Sequence, residues 1–311
     1  MNETIVEFEK VTKDFTGDFW KKKVRGLDDV TFSVHDGDVF GLIGPNGAGK
    51  TTAIKILMGL LKPTRGSVRV LGLPVTDIQT KRYLGYLPEN AYYYDYLRTE
   101  ELLDFYGRLF GLRRSKRHDR IDELLEAVGL SDKKGVHLRH YSKGMLQRIG
   151  IAQALMNDPK LVILDEPMSG LDPIGRKDMR DVILRLAQKG KTVLFSSHIL
   201  TDVEAICERV GILIRGKLTA CGSISELVRS RIKSIEVIFR RGTKDPTDSV
   251  PSKWVGQVTM RKSGDQMVMS ALRPDILNEL IDWGRGRQWM LLSVVPQKET
   301  LEDIFMKEAG E

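Results

Sequence analysis

The chain has 311 residues, 41% of them hydrophobic and 29% charged, with two cysteines and a formal net charge of +7 at pH 7. No stretch approaches the roughly 18 consecutive apolar residues of a membrane-spanning helix, and the first ten residues carry acids without the apolar segment of a signal peptide. We therefore expect neither a disulfide-stapled, secreted protein nor an integral membrane protein, and the basic charge, scattered among 42 acids, identifies no partner.

Two half-buried strands are predicted near the start of the chain, where apolar and polar residues alternate over 5–15 and 27–34. The basic cluster at 20–25 between them is typical of a loop. The short apolar run 39–43, flanked by glycines, predicts a buried strand. Apolar residues at helical spacing then predict a helix over 51–61.

The middle of the chain, about 98–158, has a mainly helical pattern. Two amphipathic helices are predicted over 100–112 and 121–128, with the basic run 113–120 separating them, and a third helix follows Ser142.

Buried strands and connecting elements are predicted after this helical region. Apolar runs at 161–164 and 192–196 predict buried strands, with a helix over 175–188 between them. The segment 210–220 has a turn dipeptide between apolar stretches and predicts a hairpin.

The last part of the chain, 231–311, has a different character and predicts a small α+β domain. Its elements are strands at 235–239, 258–260, 267–269 and 290–295, helices at 275–283 and 299–308, and a loop at 244–253.

The strongest motif is a glycine-rich stretch that fits the phosphate-binding pattern G-x-x-x-x-G-K-[ST] and lies between a predicted strand and a predicted helix. Its glycines allow backbone amides to point at phosphate oxygens, and the helix start adds positive potential. In this pattern the lysine reaches the β- and γ-phosphates and the threonine hydroxyl binds Mg²⁺. The residues are Gly44, Pro45, Asn46, Gly47, Ala48, Gly49, Lys50, Thr51 and Thr52.

A second motif places two acids, Asp165 and Glu166, directly after the apolar run 161–164. Ligands of open α/β sheets bind at the carboxyl ends of the strands. Asp165 is thus predicted to hold Mg²⁺, directly or through water, and Glu166 to act as general base on the attacking water. Together the two motifs indicate a nucleotide triphosphatase.

Three further stretches narrow this prediction: 141–148, reading YSKGMLQR; 169–172, reading SGLD; and His198 at the end of a predicted strand. With these motifs in this order, residues 3–228 resemble the nucleotide-binding subunit of ABC transporters. The resemblance implies an α/β P-loop NTPase core with an antiparallel β subdomain and a helical subdomain, followed by a small C-terminal α+β domain. It places the ATP-binding domain at 1–230 and an accessory domain at 231–311, whose closing stretch resembles ABC-2-type exporter subunits.

The resemblance also implies partners and cofactors. ATP with Mg²⁺ is bound between two head-to-tail copies, or between this chain and a close paralogue, and a separate membrane permease is driven, with export favoured over import. We therefore expect a location at the cytoplasmic face of the membrane and no nucleic-acid partner.

Roles for individual residues follow from the matching positions. Ser142 and Gly144 match the signature loop, which contacts the γ-phosphate held by the partner subunit, although Ser142 also suits a helix N-cap. Asp172 matches the loop that crosses the dimer interface, or caps the helix before Pro173. His198 matches the switch histidine at the γ-phosphate.

We expect Phe15 to stack on adenine, with Trp20 or Phe19 as alternatives, although Phe15 also fits a strand in the core. Glu89 stands where many family members have glutamine, so it keeps an oxygen for Mg²⁺ and the nucleotide but adds charge. The signature YSKGM departs from the commoner LSGGQ at Lys143 and Met145, yet keeps the serine and the second glycine.

The aromatic segment 91–97 corresponds to the family's docking site for the permease, although tyrosines at this density also occur in ordinary packed loops. Two other classes of protein fit these motifs less well. An ABC-type ATPase acting on nucleic acid or ribosomes fits less well, since DNA-repair types carry a long coiled coil between the motifs and translation factors carry two motif sets. A P-loop kinase or GTPase explains neither the signature loop nor His198.

Overall fold

The computed structural model describes residues 3–15, 24–228, 232–240, 250–298 and 300–310. Two compact units are present, one formed by Met1–Ile224 with Glu308–Glu311 and the other by Ser225–Lys307. The alternatives Phe19 and Trp20 for adenine stacking lie outside the described residues, as does most of the predicted loop 244–253.

A six-stranded sheet lies at the centre of the first unit, in the order β10-β9-β3-β8-β7-β6. The five strands from β9 to β6 are parallel, and β10 pairs antiparallel to β9. The strands are β3 (Val39–Ile43), β6 (Leu84–Leu87), β7 (Leu161–Leu164), β8 (Thr192–Ser197), β9 (Arg209–Ile214) and β10 (Lys217–Ser223). Every residue of β3, β7 and β8 is buried, as expected for central parallel strands with both faces covered.

A four-stranded antiparallel sheet completes the β structure of this unit, in the order β2-β1-β4-β5. Its strands are β1 (Thr4–Phe15), β2 (Val24–His35), β4 (Arg65–Val70) and β5 (Leu73–Pro74). The apolar residues that alternate along β1 and β2 are buried together with residues of β3, so one hydrophobic core joins the two sheets.

Seven α-helices occur in the described chain up to residue 228, the last of them at the boundary between the two units. They are α1 (Lys50–Leu57), α2 (Thr99–Leu109), α3 (Arg114–Ala127), α4 (Lys143–Ala154), α5 (Pro173–Gln188), α6 (Leu200–Ile206) and α7 (Ile224–Leu227), and short 3₁₀ segments occur at Ile78–Tyr83, Ser131–Lys133 and Leu138–His140. Ser142 and Asp172 are N-caps of α4 and α5, each accepting a hydrogen bond from a backbone amide in the first turn.

The prediction that the basic run 113–120 separates two helices is wrong, because this run forms the first two turns of α3. Arginine and lysine are good helix formers. The Arg117 guanidinium also donates a hydrogen bond to Asp104 of α2 at 2.6 Å, which fixes the start of α3 against its neighbour. The helix predicted over 51–61 ends earlier, at Leu57, where Gly59 adopts a left-handed conformation.

The second unit contains a four-stranded antiparallel sheet, ordered β12-β13-β11-β14, and two helices. The elements are β11 (Ile232–Arg240), β12 (Val258–Ser263), β13 (Gln266–Ala271), α8 (Leu277–Gly286), β14 (Met290–Lys298) and α9 (Leu301–Gly310). One face of the sheet, with Val237, Phe239 and Met269, packs in a core with Trp254 and Trp289. This is the predicted α+β arrangement.

The predicted fold class is confirmed: an α/β core with an antiparallel β sheet and a helical region, followed by a small α+β unit. In the described parts of the chain, no helix combines the length and apolar character needed to cross a membrane.

Candidate nucleotide-binding site

The glycine-rich stretch connects the carboxyl end of β3 to the first residue of α1. Gly47 and Gly49 have φ angles of +79° and +108°, which side chains disfavour. A β-carbon on Gly49 would also lie 2.5 Å from the carbonyl oxygen of Gly26, so the loop comes too close to β2 for any side chain. Sequence and structure therefore agree on a tightly curled loop at the start of a helix.

Lys50 is buried at the base of this loop, with 6% of its side chain exposed. Its ammonium group donates hydrogen bonds to the carbonyl oxygens of Gly44, at 2.7 Å, and Pro45, at 3.3 Å. It also lies 3.1 Å from Oε1 of Glu166. The loop thus encloses a positive charge that is paired with a carboxylate from the end of β7, two strands away from β3 in the sheet.

Asp165 and Glu166 follow β7 and are both buried. The hydroxyl of Ser196 donates a hydrogen bond to Oδ1 of Asp165 at 2.6 Å, and the hydroxyl of Thr51 lies 3.4 Å from the same oxygen. Burial raises the pKa of the Asp165 carboxyl, and these two hydrogen bonds oppose the rise. Ser196 was not among the residues predicted from the sequence, and it is the pairing of β7 with β8 that brings it beside Asp165.

Glu166 links the two groups expected at the γ-phosphate. Its Oε2 lies 2.8 Å from Nδ1 of His198, while its Oε1 faces Lys50. Its backbone amide donates a hydrogen bond to the hydroxyl of Ser196, and its φ of +48° is rare for a residue with a side chain. Contacts of the Glu166 side chain and of its backbone amide therefore fix the position of the carboxylate.

These groups share one cleft, whose volume is about 470 Å³. The residues that line it are Phe15, Val24, Arg25, Gly26, Asn46, Gly47, Ala48, Gly49, Lys50, Thr51, Thr52, Glu89, Glu166, Ser169 and His198. Four of these residues were not predicted as parts of the site: Val24, Arg25, Gly26 and Ser169. Gly44, Pro45 and Asp165 lie beneath the cleft, in contact with Lys50 and Thr51.

Phe15, at the end of β1, forms one wall of the cleft and is 39% exposed. Gly26 of β2 leaves space for its ring, because a β-carbon there would lie 2.5 Å from the ring. An exposed aromatic face beside a phosphate-binding loop is suited to stacking on a base. The alternative assignment of Phe15 to the strand core does not fit this exposure.

Glu89 also lines the cleft and lies just beyond β6 in the chain. Its backbone carbonyl accepts a hydrogen bond from the amide of Gln147 in α4, at 3.4 Å. Tyr86, within β6, is close to Asp165, and burial together with that carboxylate raises its pKa to about 12. Glu89 therefore connects the cleft to the helix that follows the signature loop.

The donors present fit a magnesium ion. Thr51, Asp165 and Glu89 offer only hydroxyl and carboxylate oxygens, which Mg²⁺ prefers. No group of three or more His, Cys, Asp and Glu side chains converges within the described ranges. Mg²⁺ ordinarily uses one or two protein carboxylates and completes its shell with phosphate oxygens and water.

Ser142, Gly144 and Asp172 do not reach this cleft within one chain. They line a second depression, formed by the start of α4 and the loop before α5, together with Lys143, Arg148 and Gly170. The Ser142 hydroxyl accepts a hydrogen bond from the Met145 amide at 3.3 Å, so the expected capping role is present. The structure thus divides the predicted residues between two separate surfaces.

The tyrosines of the segment 91–97 are largely on the surface. Tyr92, Tyr94 and Tyr96 are 94%, 66% and 62% exposed, and only Tyr93 is enclosed, with burial raising its pKa. Of the two interpretations of this segment, an interaction surface agrees better with these exposures than a packed loop does.

Comparison with known proteins gave consistent matches. The family model described as ABC transporter matches residues 27–169. The chain is 48% identical to the ABC transporter ATP-binding protein all4389 of Nostoc sp. strain PCC 7120, over 98% of this chain and 90% of that protein. It is 30% identical to the linearmycin resistance ATP-binding protein LnrL of Bacillus subtilis strain 168, over 93% of this chain and 94% of that protein. Among solved structures, an ATP-binding subunit of an ABC transporter is 33% identical with a TM-score of 0.63, covering 72% of this chain and 92% of that one.

Proposed function

The chain belongs to the family of ABC transporter ATP-binding proteins, and from this premise we propose that it hydrolyses Mg-ATP as a head-to-tail dimer and thereby drives a separate membrane permease. The observation that carries this proposal is the Glu166 carboxylate, held between Lys50 and His198 in the cleft of the phosphate-binding loop. We further propose that residues 1–230 form the ATP-binding domain and residues 231–311 an accessory domain.

Binding of ATP begins with the glycine-rich loop, whose amides and helix start favour phosphate oxygens. Lys50 then exchanges its contact with Glu166 for the β- and γ-phosphates, and Phe15 stacks on adenine. Thr51, Asp165 and Glu89 would hold Mg²⁺, which would neutralise phosphate charge when bound. The freed carboxylate of Glu166 faces the cleft, where a water molecule can approach the γ-phosphate.

Hydrolysis follows from the same arrangement. Glu166 accepts a proton from the attacking water as the water oxygen bonds to the γ-phosphorus and the bond from that phosphorus to the β–γ bridging oxygen breaks, so that ADP leaves. His198, through the contact with Oε2, holds the carboxylate in line and stabilises charge on the γ-phosphate. Burial of Glu166 strengthens these electrostatic contacts relative to water. The chemistry therefore needs no covalent intermediate on the protein.

Dimer formation is supported by the separation of the two surfaces. Ser142 and Gly144 lie in a different depression from Lys50 and Glu166. If the signature loop contacts the γ-phosphate, it does so on a nucleotide held by another subunit. A head-to-tail pair of identical chains, or of this chain and a close paralogue, satisfies both sites by symmetry.

Coupling to a permease is supported by the family and by the exposed tyrosines Tyr92, Tyr94 and Tyr96. We place the protein at the cytoplasmic face of the membrane, held there by its permease, without nucleic acid as a partner. The relative LnrL is named for resistance to linearmycin, an outcome that removal of the compound from the cell would produce, and this favours export.

A tagged pull-down from native cells, with membranes cross-linked before detergent extraction, tests this proposal. Recovery of a polytopic membrane protein in about equal amount supports it. Recovery of a soluble, nucleic-acid-rich complex without a membrane protein would contradict the transporter assignment and favour the alternative of an ATPase acting on nucleic acid or ribosomes.

A further inference from the structure

A segment without acids joins α2 to α3. Between Phe105 and His118 the chain contains no aspartate or glutamate. The same segment contains five basic residues, Arg108, Arg113, Arg114, Lys116 and Arg117. For a chain with 49 basic and 42 acidic residues, this is a marked local excess of positive charge.

The structure separates these five cations into two groups. Arg108 and Arg117 both contact Asp104, and Arg117 also donates a hydrogen bond to the carbonyl of Leu112 at 2.7 Å. They fix the geometry of the connection. The remaining three, Arg113, Arg114 and Lys116, are exposed and make no side-chain hydrogen bond or ion pair with any other described residue.

Exposed apolar side chains occur in the same segment without acids. Leu109, Phe110 and Phe105 are 66%, 44% and 49% exposed, although α2 already buries Leu102 and Leu103 on its inner side. We call the six exposed residues at this turn the α2–α3 corner: Phe105, Leu109, Phe110, Arg113, Arg114 and Lys116. Its composition combines an outward apolar edge with unpaired positive charge.

We propose that the α2–α3 corner contacts the anionic lipid surface of a membrane directly. Phenylalanine and leucine side chains insert at the boundary between headgroups and acyl chains, while lysine and arginine attract anionic headgroups. A nucleic acid would satisfy the charges but offers no apolar layer for Leu109 and Phe110. This contact is made by the ATP-binding chain itself and does not require a permease.

The rigid pairing of Arg117 and Arg108 with Asp104 supports this proposal. It holds the end of α2 and the start of α3 together, so the apolar and basic residues are presented on one preformed surface. Ordering costs on binding are correspondingly small. The contact would orient the subunit at the membrane and so adds to the function proposed above.

Co-sedimentation of the purified full chain with vesicles tests the proposal. The vesicles contain either phosphatidylcholine alone or phosphatidylcholine with about one-third phosphatidylglycerol. The patch variant R113Q/R114Q/K116Q is compared with the control R69Q/R185Q/K189Q, which removes three exposed and unpaired charges elsewhere. An anionic leaflet strengthens binding by about five-fold for each nearby basic residue. We expect the patch variant to bind anionic vesicles about a hundred-fold more weakly and the control variant to bind like the parental chain.

A second variant, L109Q/F110Q, separates membrane contact from general attraction between charges. Lipid contact predicts weaker binding to anionic vesicles and loss of the fraction that resists release by high salt. Three results would overturn the proposal: no binding of the parental chain, equal weakening by the patch and control variants, or tighter binding of the corner to single-stranded RNA than to anionic vesicles. Thermal unfolding verifies that each variant is folded, and none of these results depends on ATP hydrolysis.

Discussion

Replacing Glu166 by glutamine should separate ATP binding from hydrolysis. The amide has the shape of the carboxylate, so its oxygen can still accept a hydrogen bond from Lys50, whose ammonium group also keeps the carbonyls of Gly44 and Pro45. What is lost is the charge and the ability to accept a proton from water. A general base contributes roughly 10²- to 10⁴-fold to a rate, so phosphate release should fall by about that factor.

The same substitution should lower the free energy of unfolding of the nucleotide-free protein. Two charge-assisted contacts of Glu166, with His198 at 2.8 Å and with Lys50 at 3.1 Å, lose the carboxylate charge, and such contacts contribute roughly 1.5–3 kcal/mol each. With ATP bound, phosphate oxygens replace Glu166 as the partner of Lys50, so this cost becomes smaller. We therefore expect Glu166→Gln to bind ATP and to accumulate as an ATP-bound dimer.

The assay combines phosphate release with light scattering on a sizing column, with and without Mg-ATP. Glu126→Gln serves as the control, because it removes the same charge from an exposed position on α3. Hydrolysis by Glu166→Gln at the parental rate would refute the general-base role. Loss of ATP binding in a folded Glu166→Gln protein would refute the separation of binding from hydrolysis.

Three further predictions concern the loop and the helical region. Lys50→Ala should weaken ATP binding about ten- to a hundred-fold, whereas the control Lys55→Ala, at an exposed position on the same helix, should leave ATP binding unchanged. Equal ATP affinities of the two variants in calorimetry would exclude the contact between Lys50 and the phosphates. Gly49→Ala should lower the midpoint of thermal unfolding more than Gly37→Ala. Both glycines have a positive φ, but only a β-carbon on Gly49 would also lie 2.5 Å from a carbonyl oxygen. Similar midpoints for the two variants would contradict this reasoning. Burial raises the pKa of the Asp104 carboxyl, but hydrogen bonds from Arg117 and Arg108 outweigh it and hold the pKa below its ordinary value. Asp104→Asn should therefore reduce the free energy of unfolding near pH 7, as measured by urea titration. The difference in unfolding free energy between the variant and the parental chain should shrink as the pH falls below about 4. A difference that does not depend on pH would argue against the ion pairs.

Sequence patterns predicted those parts of the fold and of the site that are formed by one continuous stretch of the chain. The phosphate-binding loop has its strand, its glycines and its helix in one continuous stretch, and the hairpin with its turn at Arg215 and Gly216 is equally self-contained. Both elements are present in the structure, although the helix after the loop ends earlier than predicted, at Leu57.

The features that were missed depend on residues distant in the chain. The helical state of 113–120 is fixed partly by Asp104 on another helix, and β6 is a four-residue strand whose Gly85 packs against the backbone of Ala154. Ser196 joins the site only because β8 pairs with β7. Knowledge of which residues of the two paired strands lie side by side would have identified this serine. The periodicity of apolar residues within one strand does not contain that information.

The central claim is that two chains complete each site, and a mixing experiment tests it most directly. Lys50→Ala removes the phosphate-binding lysine but keeps the signature loop. Gly144→Asp does the reverse, placing a carboxylate in the signature loop at a position where the nearest atom to a new β-carbon is 3.8 Å away, in Leu171. Each variant alone should be inactive.

An equal mixture of the two variants should form mixed dimers in which one site has both intact halves. With random pairing and independent sites, hydrolysis should recover to about a quarter of the parental rate. Sites assembled within a single chain would instead leave the mixture as inactive as its components, and that result would contradict the account.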